Sequence, residues 1–186
     1  GKAVMDGLDF YSYFKSGAEE VGKHRDHLNS INVFPVRDGD TGTNLAVTMY
    51  SMVEEVNVSK DFSEMIQSLS DAAFENARGN SGIIFASFIG GFSRGCGHLK
   101  TLTIEDFSKG ADLAVSEAYN AVSEPVEGTM LTVIKAWAGY INKNHQKHHY
   151  FSDLFEAAFL KAKTALEETT DMLEILRKNK VVDSGA

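Results

Sequence analysis

The chain has 186 residues, enough for one domain with a sizeable core. Its 43% hydrophobic and 24% charged residues are ordinary for a globular protein, and its net charge of −8 argues against nucleic acid as the main partner, because phosphate backbones attract basic surfaces. A single cysteine, Cys96, excludes an internal disulfide; with no membrane-length apolar run and no signal peptide, the expectation is a cytoplasmic protein without a membrane span.

Two prolines, Pro35 and Pro125, mark breaks, and elsewhere the apolar residues fall at helical spacing. The first predicted helix runs from about Val4 to Leu28, with Leu8, Tyr11, Phe14, Ala18 and Val21 on one face. A glycine- and aspartate-rich loop follows, then a second helix aligning Leu45, Met49, Met52, Val53 and Val56. The third opens on Asp61 and Glu64, a capping-box pattern, and turns Phe62, Met65, Ile66, Leu69 and Ala73 inward. The fourth, Ser81 to about Arg94, is apolar nearly all round and should be central. The fifth opens at Thr103 and Asp106 and runs to about Val122, and the sixth carries Met130, Val133, Ile134, Trp137 and Ile141. The seventh starts near Ser152, and the eighth at Asp171, with Glu174 three residues on. Eight helices and no convincing strand pair predict one all-α domain over residues 1–186.

The loop reads INVFPVRDGDTGTN, residues 31 to 44. Asp38 and Asp40 stand two apart on a flexible backbone. An EF-hand is excluded: counted from Asp38, its fifth, sixth and twelfth positions fall on Gly42, Thr43 and Met49. The loop also resembles that of a haloacid-dehalogenase-type phosphatase, but Gly42 stands where that pattern wants Thr or Val, and the chain lacks alternating strands for a parallel sheet. A magnesium–nucleotide site fits better. Mg²⁺ takes a few carboxylate oxygens and fills its shell from water and phosphates. Gly42, Thr43 and Asn44 then open a helix, whose free N–H groups and dipole suit phosphate. Asn32 offers a further oxygen. A solvated Asp-Gly turn is the plain alternative.

ARGNSGIIF, residues 77 to 85, is a second glycine-bearing helix start, with Asn80 and Ser81 at its tip and no Walker A lysine. EPVEGTML, residues 124 to 131, is a third, and the chain ends in VVDSGA, a small-residue turn. The three histidines of HQKHH, residues 145 to 149, read as a solvated loop rather than a metal site. Trp137 reads as core and Cys96 as inert. Phe10, Tyr11, Tyr13 and Phe14 read as core or as a homodimer contact.

Taken together and in this order, NVFPVRDGDTGTN, ARGNSG, EPVEGTM and VVDSGA resemble the nucleotide-binding domain shared by bacterial fatty acid kinases and the ATP-binding subunit of dihydroxyacetone kinases. NVFPV, EGT and VVDSG resemble the fatty acid kinase branch more; the dihydroxyacetone branch typically has His where Thr41 stands. The resemblance implies an antiparallel barrel of eight helices with ATP or ADP at one end. It implies Mg²⁺, in two ions, on Asp38 and Asp40, with Asn32 at about the place of a third family Asp. Thr41, Gly42, Thr43 and Asn44 would hold phosphates, Ser81 and Gly82 would approach the β-phosphate region, and Asn80 beside them would belong to the nucleotide site. Thr129 and Met130 would lie near the adenine, and Arg177, Asp183 and Gly185 would close over the nucleotide. One departure is Arg37, where the family usually has a Pro that stiffens the loop.

The function expected from this resemblance is a kinase component that phosphorylates a fatty acid carried by a separate binding protein and is inactive without that partner. A dihydroxyacetone-type subunit paired with an acceptor-binding subunit, and a non-catalytic nucleotide-binding regulatory module, are the alternatives. Fatty acid kinases continue beyond this domain, so the chain is either a piece of a longer one or a stand-alone subunit. No catalytic base is identified; an ionised carboxylate acceptor needs none.

Overall fold

The computed structural model describes residues 1–31, 41–123 and 130–185, with side chains through residue 171. Among the described residues, eight helices dominate: α1 (Gly7–Lys23), α2 (Arg25–Ile31), α3 (Thr41–Glu55), α4 (Phe62–Asn76), α5 (Gly79–Cys96), α6 (Ile104–Asn120), α7 (Met130–Asn144) and α8 (Phe151–Gly185). The all-α reading holds at this level, although the helices divide differently from the expectation.

The first predicted helix is two. The chain breaks at His24, whose N–H still bonds the carbonyls of Glu20 and Val21, and restarts at Arg25. The break lets α2 lie against the start of α3, where the Arg25 carbonyl and Leu28 Cβ crowd the place a Gly42 side chain would occupy. Conversely, the two helices expected after Ser152 are one. No Gly or Pro interrupts residues 151–184, and the hydroxyls of Thr164 and Thr170 bond back to Leu160 and Leu166, so Asp171 begins nothing new. The backbone expected to turn at VVDSGA stays helical through Gly185. A minimal strand pair was also missed: Val4–Met5 (β1) pairs antiparallel with Leu102–Thr103 (β2). Two residues are too few to show an alternating pattern.

Helix starts follow their caps. Asp6 accepts from the Asp9 N–H at 2.9 Å while the Asp9 carboxylate accepts from the Asp6 N–H at 3.0 Å, and Thr103 and Asp106 form the same reciprocal pair. Burial pushes the Asp9 carboxyl up, but hydrogen bonds from Lys2 and Asp6 outweigh it and leave the group below its usual value. At α4 the reciprocal half is absent. Asp61 caps Ser63 and Glu64, but the Glu64 carboxylate accepts from the Ser59 hydroxyl instead.

α5 is central, as its composition predicts, and packs on α3, α4 and α6. Its face towards α6 is backbone: a Cβ on Gly91 would fall 2.5 Å from Ala114 Cα and 2.8 Å from the Leu113 carbonyl. Around this crossing runs an aromatic core. Phe92 meets Phe88 at 5.2 Å and Phe107 at 5.0 Å, and Phe107 meets Trp137 at 6.0 Å and Phe155 at 5.1 Å. Trp137 is therefore core, as expected. α7 packs between α6 and α8, and the Phe155–Tyr13 edge contact at 4.7 Å brings α8 back to α1. Among the described residues no helix is long and apolar enough to cross a membrane.

Candidate functional site

The glycine-bearing starts of α3 and α5 meet at one corner, and buried polar side chains hold them together. Thr48, about two turns into α3, has no exposed surface; its hydroxyl donates to the Asn44 carbonyl at 2.8 Å and accepts the Arg78 N–H at 3.1 Å. Ser81 donates its hydroxyl to the Thr41 carbonyl at 3.2 Å, tying the first turn of α5 to the first residue of α3. Gly82 admits this approach, since a Cβ there would press on Thr48 Oγ1 at 2.7 Å.

A residue that sequence reasoning missed braces the start of α3. Asn29 on α2 accepts from the Thr43 N–H at 3.0 Å and donates to the Thr43 hydroxyl oxygen at 2.9 Å. It works as a cap supplied from another helix, satisfying one of the free donors of the first turn. Thr43 therefore has its backbone N–H occupied and its hydroxyl hydrogen available to donate.

At the seam between the two starts lies Asn44. The residue is 6% exposed, and its side-chain amide has no hydrogen-bond partner among the described residues. Its Nδ2 occupies the space that a Gly79 side chain would need, so the amide faces the first residue of α5. Gly79 has φ 69°, a left-handed conformation that carries little cost only without a Cβ. Buried amides are almost always paired, because an unpaired one loses about 1–3 kcal/mol of solvation. An unpaired amide between two helix N-termini is a group with hydrogen bonds left to make.

Of the residues singled out from sequence, Thr41, Gly42, Thr43, Asn44, Asn80, Ser81 and Gly82 all lie at these two starts, and the structure brings them to one corner. Ser81 uses its hydroxyl between the helices, while Asn80 is exposed. Met130 begins α7 at the edge of the core. Asn32, Asp38, Asp40 and Thr129 lie outside the described residues, as do the side chains of Arg177 and Asp183; Gly185 ends the α8 backbone.

Among the described residues no three His, Cys, Asp or Glu side chains converge on a point that would suit a metal. Two of the three histidines of residues 145–149 have local partners: His148 Nε2 bonds the Tyr140 hydroxyl at 2.8 Å, and His145 Nδ1 lies 2.9 Å from the Asn142 carbonyl. Burial, with a smaller push from Asp106, raises the Cys96 thiol to about 12, so it is inert as expected.

The DAK2 domain family matches residues 35–186 of the chain. Uncharacterized proteins of Staphylococcus saprophyticus and of Mycoplasma genitalium are each 36% identical to it, over 183 and 186 residues; these cover 97% and 95% of the chain. An uncharacterized protein of Staphylococcus epidermidis is 35% identical over 187 residues. In all three, the match takes up 33% of the relative's length, so the chain spans one third of the proteins it resembles. On this match the chain belongs to the DAK2 domain family, a kinase-related module like the L subunit of dihydroxyacetone kinase.

Proposed function

We propose that this domain binds ATP with Mg²⁺ and serves as the phosphoryl donor for a fatty acid held by a partner protein or by another part of a longer chain. The observation that carries the reading is the corner itself: two helix N-termini pinned together, with a buried amide between them that lacks a partner among the described residues. Backbone N–H groups and the positive ends of two helices suit a polyphosphate. The resemblance of the four motifs to the fatty acid kinase branch supports the nucleotide as the source of that phosphate.

Within this reading Thr41 and Gly42 offer free N–H groups, Thr43 a hydroxyl held in place by Asn29, and Asn44 an amide donor. Asp38, Asp40 and Asn32 are the residues that would hold Mg²⁺; a carboxylate pair with an amide oxygen is hard-oxygen chemistry of the kind this ion takes. When bound, the ion would neutralise phosphate charge that a protein of net charge −8 otherwise repels. Thr129 and Met130 would flank the base, and Arg177, Asp183 and Gly185 would approach from the end of α8. Closure of the helices into a barrel belongs to the same proposal.

Among the described residues, the side chains that build the corner are hydroxyls and amides, namely Thr43, Thr48, Ser81, Asn29 and Asn44. Such groups position and polarise but do not abstract a proton. A carboxylate acceptor, ionised at neutral pH, needs no base. This favours a fatty acid over dihydroxyacetone, whose hydroxyl needs a base from the acceptor-binding subunit.

Calorimetry with ATP and ADP, in Mg²⁺ and in EDTA, tests the donor half. Binding should be strong only with the metal, and the Asp38→Asn/Asp40→Asn double variant should fold yet lose that dependence. Equal affinity in EDTA overturns the metal assignment. Phosphate transfer from labelled ATP to a fatty-acid-loaded partner tests the acceptor half. The isolated domain should turn ATP over slowly or not at all; binding with no transfer to any acceptor would favour a regulatory module.

A further inference from the structure

Arg78 caps the start of α5 and is held there through its backbone alone. Its N–H donates to the Thr48 hydroxyl at 3.1 Å, and its carbonyl accepts from the Gly82 N–H at 3.2 Å. Its side chain is exposed and makes neither hydrogen bond nor ion pair among the described residues. The other arginines with described side chains differ: Arg94 is paired with Glu117, and Arg25 has Asp26 at 3.8 Å. An unpaired guanidinium thus stands one residue before Gly79, against which the buried Asn44 amide lies.

Backbone donors carry only partial charge, about half a unit summed over a helix end. A polyphosphate carries several full charges, and the protein as a whole repels it. An exposed guanidinium would add a full charge and two parallel donors to the partial charge of the backbone. Resting on the nucleotide reading above, we propose that the Arg78 guanidinium binds the polyphosphate of the nucleotide held at the α3–α5 corner.

The test titrates the full chain and its Arg78→Ala and Arg78→Lys variants with ATP in Mg²⁺, with inorganic tripolyphosphate and with adenosine, at low and moderate salt. Arg78→Ala should weaken ATP and tripolyphosphate by about tenfold, the low end for a hydrogen bond to a charged group, and leave adenosine unchanged. Its binding should also respond less to salt, since one exposed charge is gone. Arg78→Lys should recover part of the loss. Melting of the nucleotide-free protein should not move, because only backbone atoms of Arg78 hold the corner. If Arg78→Ala does not fold, Arg78→Gln, which keeps the stem and loses the charge, is read the same way. Wild-type protein that fails to bind ATP overturns the nucleotide reading itself. Wild-type binding with no change in the variants overturns the Arg78 assignment alone. An equal loss toward adenosine, or unaltered salt dependence, makes the residue structural and likewise overturns it.

Discussion

Asn44→Ala should make the nucleotide-free protein more stable and its ligand binding weaker. The amide is buried without a partner among the described residues, and such a group costs about 1–3 kcal/mol relative to its hydrated state. Alanine also suits a helix interior better than asparagine by about 0.5 kcal/mol. Against this stands the lost packing of a few side-chain atoms beside Gly79, on the order of 1 kcal/mol. The balance is a gain of roughly 1–2 kcal/mol, which for a chain of this length raises the melting temperature by about 2–8 °C. Thr48 keeps its bond to the residue 44 carbonyl, so the α3–α5 pinning survives. Scanning calorimetry without nucleotide reads the first effect, and titration with ADP in Mg²⁺ should show about a tenfold loss of affinity. A fall of several degrees in the nucleotide-free melt would mean the amide already has a structural partner. Unchanged affinity would mean that it does not face the ligand. Either result refutes the reasoning that makes this corner a site.

Asn29→Ala removes the cap that α2 lends to α3 and should cost about 1 kcal/mol, seen as a drop of roughly 2–4 °C in melting. Gly91→Ala drives a methyl into the backbone of α6 and should destabilise by about 1–3 kcal/mol in urea unfolding, whereas Gly139→Ala, which meets nothing within 4 Å, should stabilise by roughly 0.5–1 kcal/mol. Cys96 should resist iodoacetamide in the folded protein at pH 8 and react on unfolding. Its thiol is raised from 9.0 to about 12 by burial, so its share of stability is full below pH 9 and is lost as pH rises towards 12. Unfolding at pH 10 should therefore show a loss of roughly 1 kcal/mol that Cys96→Ala lacks.

The parts of the fold that depend on neighbours in sequence were legible. Thr103 with Asp106 and Asp61 before Phe62 start helices as their side chains dictate, and the apolar run after Ser81 became the central helix. What was not legible depends on residues far apart along the chain. The break at His24 lets α2 press on Gly42, and the local signal for it, a single Gly22, is too weak to end a helix by itself. The capping pattern at Asp171 is real as a pattern, but uninterrupted helix formers on both sides override it. The site divides in the same way. Each glycine-bearing helix start was visible separately. That the two meet rests on Thr48, a small polar residue with nothing to mark it within its helix, on the bond of Ser81 to the other helix, which its place at a helix tip did not reveal, and on Asn29, fourteen positions before the residue it caps.

The glycine crossing of α5 and α6 has a mechanical consequence for the corner. Where two helices touch through side chains, rotamer changes absorb small displacements; where backbone meets backbone, as at Gly91 and Ala114, there is no such cushion. α5 and α6 therefore behave as a single spar, and the head of α5 is the fixed jaw of the site. The opposing jaw, α3, meets α2 in the same way, since a Cβ on Gly42 would fall 2.3 Å from the Arg25 carbonyl, and Asn29 adds two hydrogen bonds. Adjustment to an arriving ligand is then left to side chains and not to helix positions, so slow hydrogen exchange should mark both α5 and the body of α3.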